Sequence, residues 1–353
     1  MNFDFFKSWL NRTSSIASVC CMILIIVLIF GCNDNDDTAK DALLTQVSAG
    51  YDHVLAFDFN SDLWAMGANE YGQIGDGSTK PRHSFVRVGA KSKWIKAAAG
   101  HSFSVGLMNN GTIWFWGLPP MDLNLPYYNY LQVQENPLLL GEDGDWVDVD
   151  ASRNRITAIK SDGRCFFWEG GGAYIWNHHG IIGDEPNSHW KAVATGNRHV
   201  ILIKTDGTLW CRSESISIDG YDRFYNLNNW SWFKQIGEET DWVQIDAYED
   251  KGIGLRADGS LYELSFEEDD VKIDQIGYDE DWRTASIGWN CCAAIKDDGS
   301  LWTCSGYEQG QEAIFLQQYG NDYDWLSVAS GYNFIVAINI SGNSFFIGEL
   351  PLF

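Results

Sequence analysis

One pattern recurs seven times along this chain, and it limits the folds open to it more than any other feature. Each copy opens with a strand-like run led by Trp. A small Ala/Ser/Gly patch follows, then an apolar strand, an Asx-Gly turn and an apolar-aromatic strand. The second copy reads Trp94-Ile-Lys-Ala-Ala-Ala-Gly100, then Ser104-Val-Gly-Leu107, then Asn110-Gly-Thr-Ile-Trp-Phe-Trp-Gly117. The fourth runs from Trp190 through Asp206-Gly-Thr-Leu-Trp210, and the sixth from Trp282 through Asp298-Gly-Ser-Leu-Trp302. Copies three, five and seven start at Trp146, Trp242 and Trp325 and turn at Asp162-Gly163, Asp258-Gly259 and Ser341-Gly342. The first copy starts at Leu44, turns at Asn60-Ser61 and reaches Trp64.

The starts at 44, 94, 146, 190, 242, 282 and 325 set a period of 40 to 52 residues. Several strands per unit at that period are the signature of a propeller blade. The Asx-Gly pairs fit two-residue type I′ hairpins, whose central residues need φ > 0. A lone sheet of this kind cannot bury both faces. Blades stacked radially into a closed ring do, and they leave few open edges. The expected fold is all-β, with a seven-bladed β-propeller over residues 42–353.

The segment Trp64-Ala-Met-Gly-Ala-Asn-Glu-Tyr-Gly-Gln-Ile-Gly-Asp-Gly77 resembles the hallmark of regulator-of-chromosome-condensation repeats, with Pro81 and Val88 following. Weaker echoes stand at Gly180-Ile-Ile-Gly-Asp184 and Gly310-Gln311. The resemblance covers about residues 44–348 and implies the seven-bladed fold. It implies no particular function, because one fold hosts many.

The N-terminus reads as a targeting segment. Lys7 and Arg12 precede Val19–Phe30, twelve consecutive apolar residues. That is the length of a signal-peptide core rather than a membrane span. Leu28-Ile-Phe-Gly-Cys32 resembles a bacterial lipobox, with Phe30 and Ile29 departing from the commonest residues. The resemblance implies cleavage after residue 31, lipidation of Cys32 and a membrane anchor. A plain signal peptide or an uncleaved anchor is the alternative. Residues 33–40 are polar and acidic and read as a solvated tether, so residues 32–41 form a lipidated linker. The expected location is the bacterial cell envelope, on the periplasmic or cell-surface side.

The formal net charge of −24 repels phosphate backbones and counts against a nucleic-acid partner. Motifs of catalysis are absent: there is no His-Glu-x-x-His, no Gly-x-Ser-x-Gly and no phosphate-cradling Lys-Ser/Thr loop. No catalytic residue, cofactor or metal is expected. Four copies carry Gly-x-Asp/Glu-x-Asp immediately before the leading Trp, ending at Asp145, Asp241, Asp281 and Asp324. They read as polar turns accepting backbone N–H bonds, with Ca²⁺ ligation as the lesser alternative. His178-His179, with His189 or Asp184, reads as solvated loop rather than metal site. Of the five cysteines beyond Cys32, Cys291 and Cys304 invite pairing. A two-residue turn at Asp298-Gly299 sets Cys304 opposite Ala293, with Cys291 only diagonal, so all five are expected as free thiols.

Three long insertions, at 118–140, 169–189 and 212–236, carry Tyr127, Tyr128, Tyr130, Trp176, Trp230 and Trp232. Aromatics on scaffold loops are the residues that most often anchor binding. The expected function is therefore a non-enzymatic, membrane-tethered, monomeric module that binds a protein partner. The alternative is a carbohydrate or small ligand, with or without catalysis, in the central funnel of the ring.

Overall fold

The computed structural model describes residues 42–348, apart from 91–92, 119–132, 141–142, 154, 170–178, 183–188, 198, 214–232, 267–270 and 306–313. The described residues form seven antiparallel sheets, each a meander in chain order. Six have four strands and the last has three. The innermost strands are Leu44–Ala49, Trp94–Ala99, Trp146–Ala151, Trp190–Thr195, Trp242–Tyr248, Trp282–Ile287 and Trp325–Ser330. Every one begins at the residue that the repeat marks as the start of a copy.

Two local devices fix each blade. The first is the Asx-Gly hairpin, and it differs from expectation. Gly299 N–H donates to the Lys296 carbonyl at 2.9 Å, and Lys296 N–H donates to the Ser300 carbonyl at 3.1 Å. Gly299 has φ +85°, while Asp298 stays at negative φ. The loop is therefore three residues long, a type I turn closed by a left-handed glycine bulge, rather than a two-residue type I′ turn. The Asx side chain explains the choice. Asp298 Oδ1 accepts the Ser300 N–H at 2.8 Å, and Ser300 Oγ accepts the Trp302 indole N–H at 2.9 Å. The same relay runs through Asn110, Thr112 and Trp114, and through Asp206, Thr208 and Trp210. In the first blade Ser61 takes the glycine's place at φ +63°.

That extra residue shifts the register by one and overturns the thiol expectation. Cys292, not Ala293, pairs with Cys304, and the two form a disulfide with Cα atoms 5.2 Å apart. Cys165, Cys211 and Cys291 are buried thiols outside that bridge.

The second device is an aromatic box at the end of each blade where its inner strand begins. The leading Trp meets the ring that follows the hairpin edge to face: Trp146 on Phe166 at 5.1 Å, Trp282 on Trp302 at 5.8 Å, Trp325 on Phe345 at 5.1 Å. In blades three to six a cation ends the second strand and caps the box. Lys296 Nζ lies 4.8 Å from the Trp282 ring and 4.9 Å from Trp302, and Lys204 lies 3.9 Å from Trp210. The carboxylates before the leading Trp close over that cation. Lys296 Nζ contacts Asp279 at 3.0 Å and Asp281 at 2.9 Å, while Lys160 contacts Asp143 and Asp145 at 3.0 Å each. In the fifth blade Arg256 contacts Asp241 at 2.7 Å, and in the seventh Asn339 contacts Asp324 at 3.3 Å. Three of the four acidic turns thus hold a side-chain cation of their own blade and the fourth an amide, while Glu239 also accepts a backbone N–H as expected.

Blades pack face to face through small apolar clusters. One of them closes the ring: Leu44, Val54, Trp64 and Phe85 of the first blade pack with Ala329, Phe334, Val336 and Ile338 of the seventh. The hallmark segment joins blades one and two. The Gln73 carbonyl accepts the Trp116 indole N–H at 2.8 Å and the Ser104 hydroxyl at 2.9 Å. Gly75 lies flat on Trp116, where a Cβ would come within 2.7 Å of the ring, and its φ of +77° independently favours glycine.

Candidate functional site

The small-residue patches of the repeat are the inner strands at their closest approach. Their Ala and Ser side chains leave an axial channel of about 350 Å³, lined by all seven inner strands. Side chains stitch neighbouring inner strands across it. Ser48 Oγ accepts the Ala99 N–H at 3.2 Å. Asp148 and Asp150 accept the N–H groups of Val193 and Thr195 at 3.0 and 2.6 Å. Asp246 accepts that of Ile287 at 2.9 Å, and Ser286 Oγ that of Ser330 at 2.9 Å.

Each inner strand ends in a short turn into the second strand, and the same turn position recurs around the channel mouth. It holds Tyr51, His101, Arg153, Asn197, Glu249, Trp289 and Tyr332 in blades one to seven. Backbone bonds lock the turns to their neighbours: Tyr51 N–H to the Gly100 carbonyl at 3.2 Å, Asn197 to Glu249 at 2.9 Å, Trp289 to Gly331 at 3.2 Å. Four successive blades supply rings that touch. Trp289 stacks on Tyr332 with centroids 5.9 Å apart, Tyr332 meets Tyr51 at 4.4 Å, and Tyr51 stacks on His101 at 4.1 Å. All four are half-buried. Burial, then the charge of Arg153, holds His101 below the usual imidazole range despite nearby Asp52. Burial, then Tyr332, raises the Tyr51 phenol.

Charge gathers on the opposite side of the mouth. Lys96 contacts Asp148 and also attracts Asp150 and Asp246, so one lysine serves three carboxylates. Burial first, then the neighbouring Asp246 charge, pushes Asp150 up to about 7 against the pull of Lys96. Burial raises Asp246 in the same way. Both lie at the mouth ends of their strands, a few residues below the rim.

The residues singled out in the sequence fall differently. Tyr127, Tyr128, Tyr130, Trp176, Trp230 and Trp232 lie outside the described residues, as do Cys32, His178 and Asp184. The strands that lead into their segments end at Gly117, Glu169 and Ser213. These pair with Phe103, Arg155 and His199, the first residues after the rim turns, so the three segments depart from the rim face. His179 starts the outer strand of blade three, and His189 precedes Trp190. Among the described residues no three His, Cys, Asp or Glu side chains gather as metal ligands. Sequence reasoning missed the rim. Its signal is the single position after Gly50, Gly100, Gly196, Gly288 and Gly331, which matters only once seven turns converge.

Comparison with known proteins places this architecture. The chain is an RCC1-like seven-bladed β-propeller, and the regulator of chromosome condensation (RCC1) repeat matches residues 44–73 and 60–107. Guanine nucleotide exchange factor SRM1 of Saccharomyces cerevisiae is 21% identical over 213 residues, 48% of this chain and 44% of that protein. Human probable E3 ubiquitin-protein ligase HERC4 is 27% identical over 163 residues, 44% of this chain and 14% of that protein. The chain thus spans less than half the length of these curated relatives. The crystal structure of Prp20p from Saccharomyces cerevisiae, described with its binding to Gsp1p and histones, superposes with a TM-score of 0.65. It is 17% identical, with 82% of this chain and 81% of that one covered.

Proposed function

We propose that this chain is a lipid-anchored binding module on the extracytoplasmic side of a bacterial envelope, and that it engages a protein partner with its rim face. The observation that carries the reading is the unbroken aromatic arc Trp289–Tyr332–Tyr51–His101 on a rigid ring. Aromatic side chains held rigidly at a rim bury large area at low entropic cost, which is how binding hot spots work. The strands before the aromatic-bearing segments 119–132, 170–178 and 214–232 end at that same face. Binding of proteins is also what is described for Prp20p. The lipobox-like Cys32 supplies the anchor. The Cys292–Cys304 disulfide supports an oxidising compartment, where such bonds persist. The chain's acidity disfavours nucleic acid.

The test has two arms. Cys32→Ser moves the protein from the membrane fraction to the soluble one; full retention in the membrane removes the lipid anchor from the reading. For the partner, wild type and Trp289→Ala/Tyr332→Ala are compared as baits for solubilised envelope proteins, and captured proteins are purified and titrated directly. A protein that binds wild type and at least tenfold more weakly to the variant supports the reading. Equal binding to both baits moves the interface off the rim.

A further inference from the structure

We infer that the axial channel is a binding site for a small organic cation, an alkylammonium or guanidinium, with its charged head between Asp150 and Asp246 and its stem against the rim rings. This stands apart from the protein-partner reading, and neither decides the other.

Three observations converge. The first is the cavity itself, whose volume of about 350 Å³ lies within the range of small-ligand pockets. The second is its asymmetry. Blades three and five supply Asp150 and Asp246 to the lining and blade two supplies His101, whose ring continues into the arc with Tyr51, Tyr332 and Trp289 at the rim above the mouth. Asp150 lies three residues before Arg153 and Asp246 three before Glu249, which places both carboxylates roughly 10 Å below the rim. A ligand with a cationic head and an apolar stem matches that order of surfaces. Rings favour such cations from their faces.

The third observation is the charge balance. The titratable groups lining the channel are Lys96, Asp150, Asp246 and Tyr248 within and His101, Arg153 and Glu249 at the rim, with Asp148 behind Lys96 and Asp52 near His101. Lys96 already serves Asp148, and Arg153 is exposed, where solvent screens it. Asp150 and Asp246 accept the Thr195 and Ile287 N–H groups and share Lys96 with Asp148, so three carboxylates meet one lysine. A second cation completes the site. Ser152, also lining the channel, has a buried hydroxyl with no hydrogen-bond partner and is available to accept from an ammonium.

The test is calorimetric titration of the full-length chain with 1,5-diaminopentane at constant ionic strength, with 1,5-pentanediol as the neutral control. The expected result is one saturable site for the diamine and none for the diol. Affinity should fall at least tenfold in Asp150→Asn/Asp246→Asn and severalfold in Tyr332→Ala. Asn keeps a carbonyl oxygen for the Thr195 and Ile287 N–H groups. If the double variant nevertheless fails to fold, Tyr332→Ala and a pH series on the wild type carry the test. Protonation of the carboxylates must weaken diamine binding severalfold as pH falls from 8 to 6. No saturable binding at millimolar diamine, equal binding of the diol, or affinity unmoved by Tyr332→Ala and by pH overturns the proposal.

Discussion

Ser61 and His199 show how much single positions carry in a repeat. Six hairpins close on a left-handed Gly, whereas Ser61 adopts φ +63° with a side chain that disfavours it. Ser61→Gly is expected to stabilise the protein by about 1 kcal/mol, read as a higher urea midpoint. His199 is fully buried and stacks on Phe266 at 3.6 Å; burial, then the charge of Arg155, pushes its imidazole down to about 3. Its unfolded value is near 6.5, so the unfolded chain binds the extra proton between those values. His199 therefore costs stability progressively as pH falls below 6.5. Asp150 has the opposite sign. Its folded value near 7 exceeds the unfolded one, so the folded state holds the extra proton and gains as pH falls from 7 toward 4. Denaturation across pH 4–8 should show His199→Phe gaining on wild type as the solution acidifies. Asp150→Asn should gain on wild type as the pH rises toward 8.

At the scale of the element, the blade is a hairpin relay plus a capped aromatic box. Lys296 is buried between two Trp rings and two carboxylates. Lys296→Met should cost about 1–3 kcal/mol, because ring and carboxylate contacts go together. Asp279→Asn should cost under about 0.5 kcal/mol, since that carboxylate is half exposed. Lys296 already occupies the space between Asp279 and Asp281, where a calcium ion would compete with it. Adding calcium or chelator is expected to leave the melting temperature unchanged, and a calcium-dependent rise would restore the ion reading. The Cys292–Cys304 bridge closes a loop of about a dozen residues, worth about 2–3 kcal/mol of chain entropy. Cys292→Ala/Cys304→Ala should lose that much. Unreduced, denatured protein lacking residues 1–32 should titrate three thiols, with five titrating after reduction.

At the largest scale, the blades form a ring whose two faces differ. One face carries the Asx hairpins, whose last loop residue accepts the N–H of the next blade's leading Trp, and the cation clamps. The other carries seven rim turns, where the rings of four successive blades meet. The leading Trp residues, the hairpin sequences and the period were legible because each acts within about 20 residues of chain, where periodicity and turn chemistry are local. Blade count, blade boundaries and the hallmark segment's packing on the next blade follow from those local rules. What sequence left hidden has a common cause. The turn was one residue longer than an Asp-Gly pair suggests, because the Ser/Thr–Trp relay selects a bulged loop, and one residue of register decides whether Cys292 meets Cys304. The lysine between carboxylates, the channel with its surplus of Asp, and the arc Trp289–Tyr332–Tyr51–His101 join residues 15 to 280 apart in the chain. No local pattern encodes those meetings; they exist because seven similar sheets close on one axis, and closure is a property of the packed ring.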